Sequence, residues 1–254
     1  MEKKQPPLIE LQNISAGYNG ERVLENVTLD VFPNDFIGVI GPNGGGKTTL
    51  VKVILGLLKP KKGRVLYNAS SNPNSVSTGY LPQIHKIDFK FPITVWETVL
   101  SGLINPGRMI KRFTAKDRSK AQAILENMGL TDLKNRPVGE LSGGQLQRVF
   151  LCRAIISDPE VLILDEPNTY VDNHFEGELY ERLKKLNDTM AILIVSHDLG
   201  MISAYVKTIA CVNKQLHYHK SNVISQEQLA AYNCPIQLIT HGDVPHTVLH
   251  QHND

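Results

Sequence analysis

Phe36-Ile-Gly-Val-Ile-Gly-Pro-Asn-Gly-Gly-Gly-Lys-Thr-Thr-Leu50 is the stretch whose reading decides the fold. Its first five residues form an unbroken apolar run, as in a central strand covered on both faces. Gly41 to Thr48 then satisfies G-x-x-x-x-G-K-[ST] in full. Leu50, Ile54, Leu57 and Leu58 follow at helical spacing, and Lys59-Pro60 is expected to stop that helix. In a strand, glycine loop and helix, exposed backbone N–H groups and a helix N-terminus surround a phosphate chain. Gly41, Pro42, Asn43, Gly44, Gly45 and Gly46 are therefore expected to wrap phosphates, with Lys47 reaching the terminal ones. Thr48 would meet Mg²⁺, with Thr49 beside it.

Working outward, Leu8 to Ile14 and Val27 to Val31 alternate apolar and polar residues as half-buried strands do. Asn68 to Thr78 is rich in Ser and Asn and reads as a loop. From about residue 84 to about 140 the pattern is helical. Thr94 with Glu97 fits a capping box, and Ala121, Ile124, Leu125 and Met128 form a stripe that Gly129 would terminate. Buried-strand runs return at Val161 to Leu164 and Ala191 to Val195, separated by a helical stretch through Leu179, Leu183 and Leu186. This is βαβ grammar around a parallel sheet. The expected organisation is one α/β domain. Residues of about 8–83 and 146–220 form the core with an N-terminal β subdomain, about 84–145 an inserted helical subdomain, and about 221–254 a His-bearing tail.

Composition narrows the function classes. With 254 residues, 41% of them hydrophobic, the chain can bury a sizeable core. Its 27 basic residues nearly cancel 25 acidic ones, which gives no reason to expect a nucleic-acid partner. The longest apolar stretches are strand-sized, short of the roughly 18 residues a spanning helix needs. Met1 to Pro7 lacks the apolar region of a secretory signal, so a cytoplasmic protein is expected. Cys152, Cys211 and Cys234 are widely spaced and read as reduced, buried thiols.

Three further segments carry chemistry. Asp165 and Glu166 follow four apolar residues, which places two carboxylates at the carboxyl end of a buried strand, beside the expected phosphate loop. Asp165 is expected to contact Mg²⁺ directly or through water, and Glu166 to orient the water that attacks a γ-phosphate. His197 lies at the end of the next such strand, where it could hold that water in geometry. Leu141-Ser-Gly-Gly-Gln145 precedes a helix carrying Leu146, Val149, Phe150 and Ala154, so the exposed N–H groups of Ser142 to Gly144 and the Ser142 hydroxyl read either as a second anion site or as a helix N-cap and nothing more.

Taken together, these segments resemble the nucleotide-binding subunit of ABC transporters, in the family's order and over nearly the whole chain. The resemblance implies a P-loop NTPase with a RecA-like α/β core, an antiparallel β subdomain and an inserted α-helical subdomain. It also implies ATP and Mg²⁺ as ligands and a head-to-tail homodimer with ATP between the phosphate loop of one subunit and the Leu-Ser-Gly-Gly-Gln of the other. Carried over by position, Tyr18 stacks on adenine and Gln83 joins Thr48 and Asp165 in sensing Mg²⁺. Ser142, Gly143, Gly144 and Gln145 touch the partner's γ-phosphate, and Asp172 crosses the interface. The implied partners are integral membrane permease subunits and, indirectly, an extracytoplasmic substrate-binding protein, with the subunit peripheral on the cytoplasmic face of the membrane. Asn168 and Tyr170 stand where the family more often has Thr and a small residue, so a reshaped interface loop is expected.

Ile87 to Val95, Cys211-Val-Asn-Lys and the tail are similar to ATPases of bacterial zinc or manganese importers. Phe89 and Phe91 lie where such subunits meet the permease. A non-transport adaptor, as in iron–sulfur assembly, and an importer of an iron chelate stay open. So do two readings of the tail, with His241, His246, His250 and His252 after His217 and His219. It is either solvated or a weak metal site, in which His246 and His250 would share a helix face if the stretch were helical.

Overall fold

The computed structural model describes residues 5–68, 76–83, 92–104, 112–167, 173–231, 237–240 and 245–248. Strand β1 (Ile9–Ala16) pairs antiparallel with β2 (Leu24–Val31) on one side and β4 (Lys62–Tyr67) on the other, forming the N-terminal β subdomain. The larger sheet runs in the order β5 (Thr78–Leu81), β6 (Val161–Asp165), β7 (Ala191–Val195), β3 (Phe36–Ile40), β8 (Thr208–Asn213) and β9 (Gln215–His219). The first five of these are parallel and β9 closes the edge antiparallel. Every residue of β3, β6 and β7 is buried, which explains their unbroken apolar runs.

Alternate side chains of these strands feed two cores. Ile37, Val39, Ile163, Leu193 and Val195 pack with β1, β2 and helix α1 (Lys47–Ile54). Phe36, Ile40, Leu162, Leu164, Ile192 and Ile194 face the helical side. There α4 (Gly143–Ile155), α5 (Asn173–Leu186) and α6 (Leu199–Ser203) meet α2 (Val95–Ser101) and α3 (Ala115–Asn127). Among the described residues the helical insertion has no core of its own. Val95, Val99, Ala121 and Leu125 belong to the same apolar cluster as the sheet, joined through Val149, Leu151 and Cys152 of α4.

The capping boxes at Thr94–Glu97 and Ser142–Gln145 form as read, and Gly129 ends α3 with φ 65°. A third box, Thr114–Asp117, starts α3. Helix α1 stops earlier than Leu58. Gly56 turns left-handed at φ 70°, and the Leu57 N–H reaches back to the Lys52 carbonyl at 2.8 Å, a Schellman ending that satisfies the last carbonyls before Pro60 is reached.

The C-terminal region also differs from a plain tail. After β9 come α7 (Gln226–Ala231) and a hairpin of β10 (Gln237–Thr240) with β11 (Pro245–Val248). His246 is therefore in a strand, and the helix face it was to share with His250 does not form; Pro245 is compatible with a strand start but not with a helix interior. His241, His250 and His252 lie outside the described residues. His217 and His219 sit on β9 opposite Cys211 and Ile209, and His219 Nε2 bonds the Val223 carbonyl at 2.8 Å. Among the described residues no His, Cys, Asp and Glu group of three could hold a metal, and no helix is long and apolar enough to cross a membrane.

Close packing of α4 on the sheet yields a paired prediction. A Cβ on Gly79 would lie 2.2 Å from the Ala154 carbonyl oxygen, whereas one on Gly177, in α5, meets nothing within 4 Å. Gly79→Ala should destabilise the protein by about 1–3 kcal/mol. Gly177→Ala should stabilise it by about 0.5–1 kcal/mol. Urea midpoints of the two variants check both signs.

Candidate functional site

The loops that leave β3, β6 and β7, with Gln83 beyond the end of β5, open at the carboxyl edge of the parallel sheet. Together they border a cavity of about 520 Å³ whose wall includes Asn43, Gly44, Lys47, Thr48, Gln83, Glu166 and His197. Pro42, Gly46, Thr49 and Val23 complete the wall. Residues more than a hundred positions apart in the chain thus face one volume.

The phosphate loop is shaped by what lies behind it. A Cβ on Gly41 would sit 2.0 Å from the Val212 carbonyl oxygen, so only glycine allows the loop to lie against β8. The turn between β8 and β9 braces it further, with the Lys214 N–H donating to the Gly45 carbonyl at 2.9 Å. Gly44 takes φ 74° and has nothing within 4 Å of a notional Cβ, so its backbone faces the cavity bare. The N-terminus of α1 has neither a side-chain cap nor an acidic residue in its first turn, in contrast to α2, α3, α4 and α6, each of which has a side-chain cap. Such a terminus suits an anion. The Lys47 side chain is buried and its Nζ donates to the Gly41 and Pro42 carbonyls at 2.9 and 3.0 Å, a cation held at the mouth of the cradle. A polyphosphate fits this loop by charge and by space.

Asp165 is buried at the end of β6, where the Tyr80 hydroxyl donates to its Oδ2 at 3.4 Å. It is not among the residues lining the cavity. Burial first, then the adjacent Asp165 carboxylate, pushes the Tyr80 hydroxyl up to about 12. Glu166 has φ 51°, a left-handed conformation that is strained for a residue with a side chain. Its N–H is held by the Val195 carbonyl at 3.0 Å, and its Oε1 pairs with His197 Nε2 at 2.5 Å. The Ser196 N–H donates to the Val39 carbonyl at 3.1 Å, which carries His197 to the side of the phosphate loop. A carboxylate so anchored, facing the same cavity as a phosphate cradle, can orient and polarise a water. Thr48, Gln83 and Asp165 supply the oxygen donors that Mg²⁺ prefers.

Some expected residues are not brought into this cavity. Ser142, Gly143, Gly144 and Gln145 form the capped start of α4, away from the cavity wall. Tyr18 is 41% exposed beyond the wall, with Lys52 Nζ 5.3 Å from its ring centroid. Asp172, Asn168 and Tyr170 lie outside the described residues, as do Phe89 and Phe91. Three residues near the site had no role in the sequence reading: Val23, Tyr80 and Gln147. Tyr80 stands three positions before Gln83, but no periodicity tells that a strand tyrosine points at an aspartate of its neighbour. Gln147 is wholly buried and donates from Nε2 to the Pro167 carbonyl. Its polar type at an inward position of an otherwise apolar helix face was the available signal.

With this geometry in place, the chain can be set beside known proteins. A family model described as ABC transporter matches residues 24–169. The zinc uptake system ATP-binding protein ZurA of Listeria monocytogenes is 39% identical over 229 residues, 88% of this chain and 89% of that one. The zinc import ATP-binding protein ZnuC of Pasteurella multocida is 36% identical over 212 residues, 83% of this chain and 74% of its own. Among solved structures, a transporter provisionally assigned to the metal-chelate ABC type, in an inward-facing conformation, superposes with a TM-score of 0.79 at 25% identity, covering 96% of each chain.

The perturbed Tyr80 hydroxyl makes a pH prediction. A group whose pKa is raised by folding contributes stability that is present below its unfolded value of 10.0 and lost as pH rises through about 12. Wild type should therefore lose stability between pH 10 and 12 more steeply than Tyr80→Phe, measured as the difference in urea midpoints across that window. Parallel curves for the two proteins would mean that the hydroxyl is not held neutral.

Proposed function

The chain belongs to the ABC transporter family, and from that premise we propose that it powers a membrane importer of a divalent metal ion, zinc or manganese. Nucleotide binding and ATP hydrolysis coupled to transport come with the family. The metal cargo rests on relatives named for zinc import and zinc uptake, 36% and 39% identical over most of the chain.

One observation carries the mechanistic part: the cavity gathers Lys47, Thr48, Gln83, Glu166 and His197, while Ser142 to Gln145 stay outside it. A chain with a second anion site that its own cavity does not use calls for another copy. We therefore assign ATP to the phosphate loop of one subunit, with Ser142, Gly143, Gly144 and Gln145 of its partner closing over the γ-phosphate. Tyr18 would take adenine on the ring face opposite Lys52. Thr48, Gln83 and Asp165 would hold Mg²⁺, which neutralises phosphate charge when bound. Glu166 orients the attacking water, and His197 holds Glu166 and the γ-phosphate in line. ATP binding would close the homodimer, and hydrolysis would reopen it, a two-state motion passed to integral permease subunits at the cytoplasmic face of the membrane. An extracytoplasmic binding protein would supply cargo to those permeases.

Glu166→Gln should keep ATP binding and ATP-dependent dimerisation but lose turnover by roughly a hundredfold or more. Light scattering with and without ATP, beside a phosphate-release assay, checks both halves; wild-type turnover in the variant would overturn the assignment. The two-chain site has its own test. Glu166→Gln and Gly144→Asp proteins, each inactive alone, should regain activity on mixing, because the mixed dimer contains one site free of both changes. No gain would place the whole site within one chain. Loss of zinc-dependent growth in cells lacking the subunit, restored by wild type and not by Glu166→Gln, would bear on the cargo.

A further inference from the structure

Helix α4 runs without a break from the Ser142 cap to Ile155, and its Gln147 bonds Pro167, the residue that follows Glu166. The side chain is 0% exposed. Its Nε2 donates to the Pro167 carbonyl, and its Oε1 has no partner among the described residues. A half-satisfied amide is a poor choice for filling an apolar helix face, since a leucine of similar size would bury no orphaned oxygen. What the amide provides is a donor aimed at one carbonyl.

That carbonyl occupies a sensitive place. Glu166 is held left-handed, and the residue after it is a proline, which has no N–H with which to anchor the loop. Pro167 itself can be tied down only through its carbonyl. With the Val195 carbonyl holding the Glu166 N–H and His197 holding its carboxylate, Gln147 supplies the third restraint. It lies five residues after Ser142, roughly 7–8 Å along the helix at about 1.5 Å per residue, so a shift of the α4 N-terminus is delivered to it as a rigid displacement.

We propose that Gln147 is a positioning residue for Glu166, linking the setting of that carboxylate to the position of α4. The proposal rests on the assignment of Glu166 made above. It means that the helix end that meets one nucleotide also adjusts the carboxylate serving the other.

Steady-state ATPase of the full-length chain tests it with Gln147→Glu, Gln147→Leu and Glu166→Gln. At pH 9, at the top of the range that burial gives a carboxyl, the group that Gln147→Glu introduces is ionised and cannot donate to Pro167, so turnover relative to wild type at the same pH should fall about tenfold or more with KM for ATP changed by less than about twofold. At pH 6 that buried carboxyl is protonated, its O–H donates again, and activity relative to wild type at the same pH should recover, while Gln147→Leu stays low. Melting temperatures taken at both pH values separate positioning from unfolding, and where Gln147→Leu does not fold, the pH dependence of Gln147→Glu alone decides. Turnover of Gln147→Glu near wild type at pH 9, or a deficit that does not change between pH 9 and pH 6, overturns the proposal. Glu166→Gln retaining turnover overturns both this and the site assignment, whereas loss there with fully active Gln147 variants overturns this alone.

Discussion

The parallel register of β6, β7 and β3 is the constraint on which the rest depends. Asp165 pairs with Val195 across one ladder, and Val39 pairs with Val195 across the next, so the chain leaves all three strands at one height. A phosphate loop, a carboxylate and an imidazole therefore emerge side by side from segments far apart in sequence. A one-residue slip in any ladder would turn Asp165 or the loop to the other face of the sheet, and the two alternating cores forbid such a slip. The apolar runs that make these strands recognisable are thus the same feature that aligns the ends carrying the candidate site.

Where a function needs a local pattern, the sequence showed it. The glycines of the phosphate loop, the capping boxes at Thr94 and Ser142 and the buried strands before Asp165 and His197 are each set by neighbours within a few positions. What escaped the reading depended on partners in space. The early end of α1 was decided by Gly56 adopting a left-handed turn, an option that the apolar spacing through Leu58 concealed. The helical insertion has a periodicity of its own, but that among the described residues its apolar face packs on the sheet's own helices is something no local pattern shows. Tyr80 and Gln147 acquire meaning only once β5 lies beside β6 and α4 lies under the Glu166 loop.

Strain and restraint at Glu166 belong together. A left-handed glutamate followed by proline is costly and would relax if left alone. The structure surrounds it with bonds from three different elements: the end of β7, the segment after it and α4. Such over-determination holds a carboxylate in one orientation, and it also makes that orientation responsive to any of the three elements.

The capped start of α4 poses an apparent conflict, because Ser142 and Gln145 already commit their side chains to the helix while the proposed function asks them to hold a partner's phosphate. The bonding pattern removes it. Ser142 Oγ accepts from the Gln145 N–H at 3.3 Å, and Gln145 Oε1 accepts from the Ser142 N–H at 3.0 Å. Both bonds use acceptor oxygens, while an anion requires donors. The serine O–H, the glutamine Nε2 hydrogens and the N–H groups of Gly143 and Gly144 suit the same task as the positive end of the helix. The cap therefore rigidifies the helix terminus at the expense, among the donors of Ser142 to Gly144, of the Ser142 N–H alone, and a preorganised donor set loses little entropy on binding an anion.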